Sequence, residues 1–389
     1  DVQSYALCII EDPENKNLLF LGTDDGLYTS VNAGNKWTKW TEGFPTVPVK
    51  DLVIQEREHD LVIGTFGRAA WVLDDIRPLR AIADSNKSLK KLHLFEPPTA
   101  YQTASQQPTG SRFGADAMYQ GENRNGGAII SYYIEVPEAK KEKRGKKQDE
   151  KDEDDVVSSE VEKSLTDKNE VKYDSIKLEV FDGARQIRTL QFKTPKESGI
   201  HKTTWYLREK GVDRASRTIR KSTREPSGVE VKPGTYRLKM TFGDEISEQN
   251  IKVEFDPRLE ISQAAINQKY EASKELESYQ EKIAEIVKQL VESKNTATSL
   301  KSDLTKEDKK KYKEEIKSST EIIKKIDDLI ALYLGKIDKR QGITRNPEVT
   351  VNQRFGQARG YIYSRFGEQT ATETQLMNQF KDEFKSAVS

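Results

Sequence analysis

Apolar positions in the first eighty or so residues come in short runs broken by turn residues. Leu18-Leu-Phe-Leu21 leads into Gly22-Thr23-Asp24-Asp25-Gly26 and returns as Leu27-Tyr28-Thr29. Apolar runs of this length around an Asp- and Gly-rich turn predict a β-hairpin. The pattern then repeats. Asp51-Leu-Val-Ile-Gln, followed by Asp60-Leu-Val-Ile-Gly-Thr-Phe-Gly-Arg-Ala-Ala-Trp-Val-Leu, restates Ala6-Leu-Cys-Ile-Ile-Glu followed by Leu18-Leu-Phe-Leu-Gly-Thr-Asp-Asp-Gly-Leu-Tyr-Thr. Gly22-Thr23 thus recurs as Gly64-Thr65 roughly 40 residues later, in the range of repeats that hold several short strands each.

Further along, alternation of period two resumes. Ala128 to Val136, Ile176 to Asp182, Gln186 to Phe192, Thr203 to Arg208, Tyr236 to Phe242 and Ile251 to Phe255 each read as strands, with turns at Asp182-Gly183 and Lys232-Pro233-Gly234-Thr235. Short alternating strands separated by turns predict a β-sandwich over 128–257. From about Ile261 the period changes to that of a helix. Ile266, Tyr270, Tyr279, Ile283, Ile286 and Leu290 mark one face, and Tyr312, Ile316, Ser319, Ile323, Ile326, Ile330 and Tyr333 a second. Two long antiparallel helices follow, with the turn expected at Asn295–Thr305 and the second helix opened by Thr305-x-x-Asp308. Val351, Phe355, Ala358, Ile362 and Phe366 predict a third helix; Leu376, Phe380, Phe384 and Val388 predict a fourth, opened by Thr372-x-x-Gln375.

The expected architecture is multidomain β plus α: a partial β-propeller (its last two blades) over 1–83, an extended connector over 84–127, a β-sandwich over 128–257, and a C-terminal antiparallel helical bundle over 258–389. The sandwich is interrupted at about 138–172 by Lys140-Lys-Glu-Lys-Arg-Gly-Lys-Lys147 and Asp149-Glu-Lys-Asp-Glu-Asp-Asp155. The two blocks nearly cancel and carry no aromatic residues for base stacking, so a solvated, mobile insertion is expected. A propeller ring needs about four to eight blades. Upstream blades, in the same polypeptide or a processed fragment, are therefore expected partners of 1–83.

The octet after the first hairpin reads Ser30-x-Asn32-x-Gly34-x-x-Trp37 and resembles the Asp-box of BNR-type β-propellers, with Asn32 at the acidic position. A short acceptor there can bond amides further along, Gly34 can take a left-handed conformation, and Trp37 can pack on the turn. In that family the box is a folding device on the propeller rim. The blade motif Gly22, Thr23, Gly26 and its second copy Gly64, Thr65, Gly67, Arg68, Trp71, together with Trp71-Val-Leu-Asp-Asp-Ile76, His201-x-x-x-Trp205-x-Leu-Arg208 and Asp256-Pro-Arg258, is similar to the sortilin-like, BNR-repeat proteins of Bacteroidota. The resemblance implies a propeller followed by an Ig-like module and a helical tail. It also implies an extracytoplasmic bacterial protein, periplasmic, surface-bound or secreted.

Charge and composition narrow the function. Lys+Arg and Asp+Glu each number 64, so no global field draws the chain to nucleic acid or an anionic membrane. No apolar run is long enough for membrane insertion. The single cysteine, Cys8, lies in an apolar strand and reads as a buried structural thiol. His59, His93 and His201 stand in no metal-ligand spacing, and no phosphate loop or nucleophile elbow occurs. The paired acids Asp24, Asp25, Asp74 and Asp75 sit in turns, where backbone bonding is their expected work. Arg68 is the one cation expected near the channel of a ring. No catalytic residue, cofactor or metal is assigned. The chain reads as a non-catalytic binding or scaffold protein that recognises a protein or glycan ligand, its other modules acting as spacers and docking elements. The alternative is a glycan-active hydrolase whose two carboxyls lie in upstream blades.

Overall fold

A computed structural model of the chain describes residues 1–84, 89–103, 124, 126–137, 173–219, 222, 224–337, 349–364 and 366–389. The charged insertion at about 138–172, most of the loop from Gln102 to Gly127 and most of the loop from Gly335 to Pro347 lie outside these residues. The chain is mixed β plus α and divides into two compact units, Asp1–Leu207 with Pro233–Asp256, and Arg208–Lys232 with Pro257–Ser389.

In the first unit, β1 (Ala6–Glu11), β2 (Leu19–Thr23), β3 (Gly26–Ser30) and β4 (Thr38–Lys39) form an antiparallel meander. A second meander contains β5 (Val49–Gln55), β6 (Asp60–Thr65) and β7 (Ala70–Leu73), followed by helix α1 (Arg77–Asp84). The alternation that predicted these strands sorts their side chains into two faces. Leu52, Ile54, Leu61, Ile63, Trp71 and Leu73 share one core with Phe20, Leu27, Cys8 and Ile10 of the first sheet. The sheets meet most closely at Gly22. A Cβ there would lie 2.5 Å from Cys8 Sγ and 2.6 Å from Val49 Cγ1, so only glycine fits. Cys8 donates to the Val49 carbonyl across the same contact, 3.6 Å.

Two further sheets complete the unit. One has the order β13 (Gly199–Trp205), β10 (Ala128–Ile134), β8 (Leu92–Leu94); the other runs β12 (Arg185–Lys193), β11 (Ser175–Asp182), β16 (Gly234–Phe242), β17 (Glu245–Phe255), β9 (Ala100–Gln102). Strand β9 runs parallel to β17, and all other pairings are antiparallel. Residues 92–94 and 100–102, read as extended connector, are thus strands of these sheets. Tyr236, Leu238, Met240 and Phe242 alternate inward along β16, and Trp205 stands edge-on to Tyr236 at 5.5 Å. The strand read as Thr203–Arg208 is broken after Trp205. Leu207 takes φ 54°, a conformation costly for a branched side chain, and the chain changes unit there.

In the second unit β14 (Arg208–Lys210) pairs with β15 (Ser227–Glu230), beside α2 (Gln263–Asp308), α3 (Lys313–Leu334), α4 (Val351–Tyr363) and α5 (Ala371–Val388). Ser262 caps α2 by accepting from the Ala265 amide, 3.1 Å. The turn expected at 295–305 is instead helix, and the reversal falls at 309–312. No Gly or Pro interrupts 295–305. The hydroxyls of Thr296, Thr298 and Thr305 donate to carbonyls four residues back, so these polar residues ride the outside of a continuing helix. At the true turn Asp308 accepts from the amides of Lys310 and Lys311. Lys294 pairs with Asp327 at 2.6 Å across the antiparallel arms. The last helix opens one turn feature earlier than expected, at Thr370 with Glu373 in a capping box. Thr350 and Gln353 cap α4 in the same way. The helices share one core, with Phe380 fully buried among Tyr279, Phe355 and Phe384.

Candidate functional site

The candidate site starts from the turn after β3. Ser30 and Asn32 act as a pair. The Ser30 hydroxyl donates to Asn32 Oδ1 at 3.0 Å and accepts from the Gly34 amide at 2.9 Å, while Asn32 Oδ1 also accepts from the Lys36 amide at 2.8 Å. Two side-chain oxygens thus satisfy turn amides that have no strand partner. Gly34 has φ 81°, and a Cβ there would lie 3.7 Å from the Trp37 ring, which is half-buried over the turn. The neutral Asn does the acceptor work that the motif's Asp would do. Beside this turn lies a shallow recess of about 340 Å³, with Val31, Trp40 and Leu79 among its lining.

The repeated Gly-Thr pair does related work at the hairpin ends. Thr23 Oγ1 donates towards the Gly26 carbonyl, 2.9 Å, and Asp25 Oδ1, 2.8 Å; Thr65 Oγ1 donates to the Ala69 carbonyl, 2.5 Å. The glycines differ. Gly22 sits where the sheets touch, whereas a Cβ at Gly64 would make ordinary 3.5 Å contacts with Asp51. Gly26 and Gly67 have φ 136° and 84°, so both need glycine for the backbone itself. Trp71 Nε1 donates to the Arg68 carbonyl at 2.9 Å, and the Arg68 residue is exposed. Ser30, Asn32, Gly34 and Trp37 are thus brought together in one turn. Thr65, Gly67, Arg68 and Trp71 are brought together in another.

Asp24 and Asp25 lie in the β2–β3 turn, Asp60 opens β6, and Asp74 and Asp75 lie between β7 and α1. Asp25 pairs with Lys39 at 2.8 Å, and the hydrogen bond from Lys39 holds its carboxyl below the usual carboxylate range. Asp75 is buried at φ 56° and accepts from Arg77 Nε at 2.7 Å. Asp60 accepts from the Asp75 amide at 2.9 Å, and burial raises its carboxyl above the ordinary value. Burial likewise raises the Cys8 thiol, which suits packing better than nucleophilic attack. Among the described residues no group of three or more His, Cys, Asp or Glu is placed to hold a metal.

One cluster escaped the sequence reading. Arg80 of α1 donates through Nε to both oxygens of buried Asp12, 3.0 and 2.8 Å, and through a terminal nitrogen to His59 Nδ1 at 2.8 Å. Asn15 donates to the Arg80 carbonyl at 3.0 Å. This clasp ties the β1–β2 turn to the helix that follows the second sheet. Residues so far apart in the chain leave no local signal of it.

The outer face of each sheet is the other notable feature. In the second sheet Val53, Val62 and Val72 stand in one row; in the first, Ile9 stands opposite Leu21 and Leu21 opposite Tyr28, but Leu21 and Tyr28 are buried, so that row is open only at Ile9 on its edge strand. Tyr5, Ile9, Val53 and Val72 are 82%, 61%, 53% and 55% exposed. Neighbouring apolar side chains at this exposure mark a surface made to be covered.

Among the described residues no helix is long and apolar enough to cross a membrane. Neither a family model nor a curated protein sequence matches the chain. Solved structures similar to the chain include two extracellular domains. One is the extracellular domain of a one-component system from B. thetaiotaomicron, 8% identical with a TM-score of 0.15, covering 64% of this chain and 25% of that one. The other is the extracellular domain of a hybrid two-component system of the same bacterium, 9% identical with a TM-score of 0.16, covering 67% of this chain and 26% of that one. The chain spans about a quarter of the length of these structures. Scores this low establish no shared fold.

Proposed function

We propose that the two meanders are blades of a sortilin-like, Asp-box β-propeller, that an Ig-like sandwich and a helical module follow it, and that the protein is a non-catalytic, extracytoplasmic binding or scaffold protein of a bacterium. The observation that carries this reading is the outer apolar row of the second sheet, Val53, Val62 and Val72, with Ile9 open at the edge of the first. In a propeller each blade packs both faces against neighbours, so Ile9 on one side and Val53 with Val72 on the other would meet further blades. The Ser30–Asn32 turn suits a rim position, because it bonds its own amides and reaches for no ligand. The ligand, a protein or a glycan, is recognised by the completed ring.

Binding without turnover is the expected behaviour. The polypeptide extended to include the remaining blades should hold a glycan or protein on an array and release no reducing sugar from glycans it binds. Release of sugar that vanished on replacing one carboxylate would overturn the non-catalytic reading. A second, independent check is Val53→Lys with Val72→Lys: these should block closure of the ring in the extended polypeptide, seen as loss of its cooperative unfolding. Unchanged unfolding there would overturn the blade assignment.

A further inference from the structure

Within the second compact unit, a cleft of about 490 Å³ opens between the Arg208–Ala215 segment, α2 and α4. Its charged lining consists of Arg208, Arg214 and Arg359, and among the described residues no carboxylate lines it. Two of these cations converge on one ring, their guanidinium carbons lying 5.9 Å (Arg208) and 5.3 Å (Arg359) from the centroid of Tyr363. Arg208 is steadied by donating to the Gly228 carbonyl at 3.2 Å. The opposite wall is fixed by Gln280, which donates to the carbonyls of Val212 and Asp213 at 3.0 and 3.3 Å.

The floor is unusual for a helix. Gly356 and Gly360 stand one turn apart on α4, both exposed in the cleft, and a Cβ at either would meet nothing within 4 Å. Neither has a positive φ. So neither close approach nor backbone geometry calls for glycine, and each weakens the helix relative to alanine. What the two glycines provide is open floor, bordered by the apolar side chains of Ile283 and Phe355.

We propose that this cleft binds a small organic anion, its oxyanion head among the three guanidiniums and its flat body on the Gly356–Gly360 floor. Planar guanidiniums match carboxylate and phosphate oxygens in pairs, and the volume falls in the range of roughly 300–1,000 Å³ that small-ligand sites occupy. Carboxylate and phosphate heads share this chemistry, and the choice of probes separates them. The site lies outside the two small sheets, so it stands whether or not those sheets are blades.

The test is calorimetric titration of the full chain at low salt, where exposed charges are least screened, with benzoate, phenyl phosphate and inorganic phosphate. One of the two aromatic anions should bind at least about tenfold more tightly than inorganic phosphate. Tighter benzoate binding assigns a carboxylate ligand, and tighter phenyl phosphate binding a phosphate. Arg359→Gln and Arg214→Gln should each weaken that binding by about tenfold or more. Gly356→Leu with Gly360→Leu should remove it, while the thermal midpoint holds or rises because leucine is the better helix former. Failure of both aromatic anions to bind at millimolar concentration would overturn the proposal. So would inorganic phosphate binding as tightly as either of them, or full affinity in both arginine variants, which stay interpretable if the leucine pair fails to fold.

Discussion

The two small sheets and the helical unit bury their apolar residues in opposite ways. The long helices gather most of their apolar side chains into a single core around Val287, Ile330, Ala358 and Phe380, leaving Ile322, Leu329 and Leu332 of α3 exposed. Each sheet has two apolar faces. Only the inner ones meet, around Phe20, Leu27, Leu61 and Ile63. A helix at 3.6 residues per turn can turn its whole polar surface outward, whereas a strand must give every second residue to its other side. Helices can therefore gather most of a core among themselves, whereas the pair of sheets leaves the row of Val53 and Val72 in one, and Ile9 at the edge of the other, open. Apolar side chains on both faces of a strand are a statement about neighbours.

Four variants break or sharpen this contrast. Phe380→Ala empties the centre of the helical core, where Tyr279 and Phe355 stand edge-on at 5.1 and 5.5 Å, and should cost about 3–5 kcal/mol in chemical denaturation. Gly22→Val tests the inner contact of the sheets. Its Cβ would overlap Cys8 Sγ and the Val49 side chain, and overpacking of this kind costs about 1–3 kcal/mol. Gly64→Ala at the repeated position, where contacts are ordinary, should lie far closer to neutral. On the outer faces, Val53→Lys with Val72→Lys should change the stability of this chain by about 0.5 kcal/mol or less, as at other exposed positions. A large loss there would mean that these faces are already covered.

The smallest effect concerns the edge pair Asp25–Lys39, both partners partly exposed. Lys39 lowers the Asp25 pKa in the folded state. Its contribution is therefore present above the ordinary aspartate value of about 3.9 and is lost as pH falls through the lowered folded value. Asp25→Asn should cost a few tenths of a kcal/mol, about what exposed pairs contribute, at pH 7. The difference from the parent chain should shrink as pH falls below the ordinary aspartate value.

Local pattern carried much of this architecture and little of its joins. Leu52, Ile54, Leu61 and Ile63 could be placed on one face because alternation is a property of neighbours in sequence. The stripe from Ser319 to Tyr333 was legible for the same reason. The turn at 309–312 was not. Threonines at 296, 298 and 305 resemble a loop in composition yet bond back along the helix, while Lys309, Lys310, Lys311 and Tyr312 carry no turn signature. Strand pairings of 92–94 and 100–102, three residues each, are too short to show a period. The arginine cleft left one trace, the glycines at 356 and 360 inside a helical pattern, whose meaning depends on what the other elements leave open above them. Arg208 and Arg214 reach it from a segment that reads as sandwich strand and loop.

The clasp between Asp12 and Arg80 spans 68 residues of sequence. The contacts within each meander span far fewer, so the hairpins can form while the chain is still open, and the clasp must await closure of the whole loop. A contact of this separation is expected to form after the folding barrier, so that its removal falls on the unfolding rate. In kinetic refolding, Arg80→Ala should leave the folding limb nearly unchanged and steepen loss of the native state, making Asp12 and Arg80 the latch that sets how long the two sheets, once formed, stay shut.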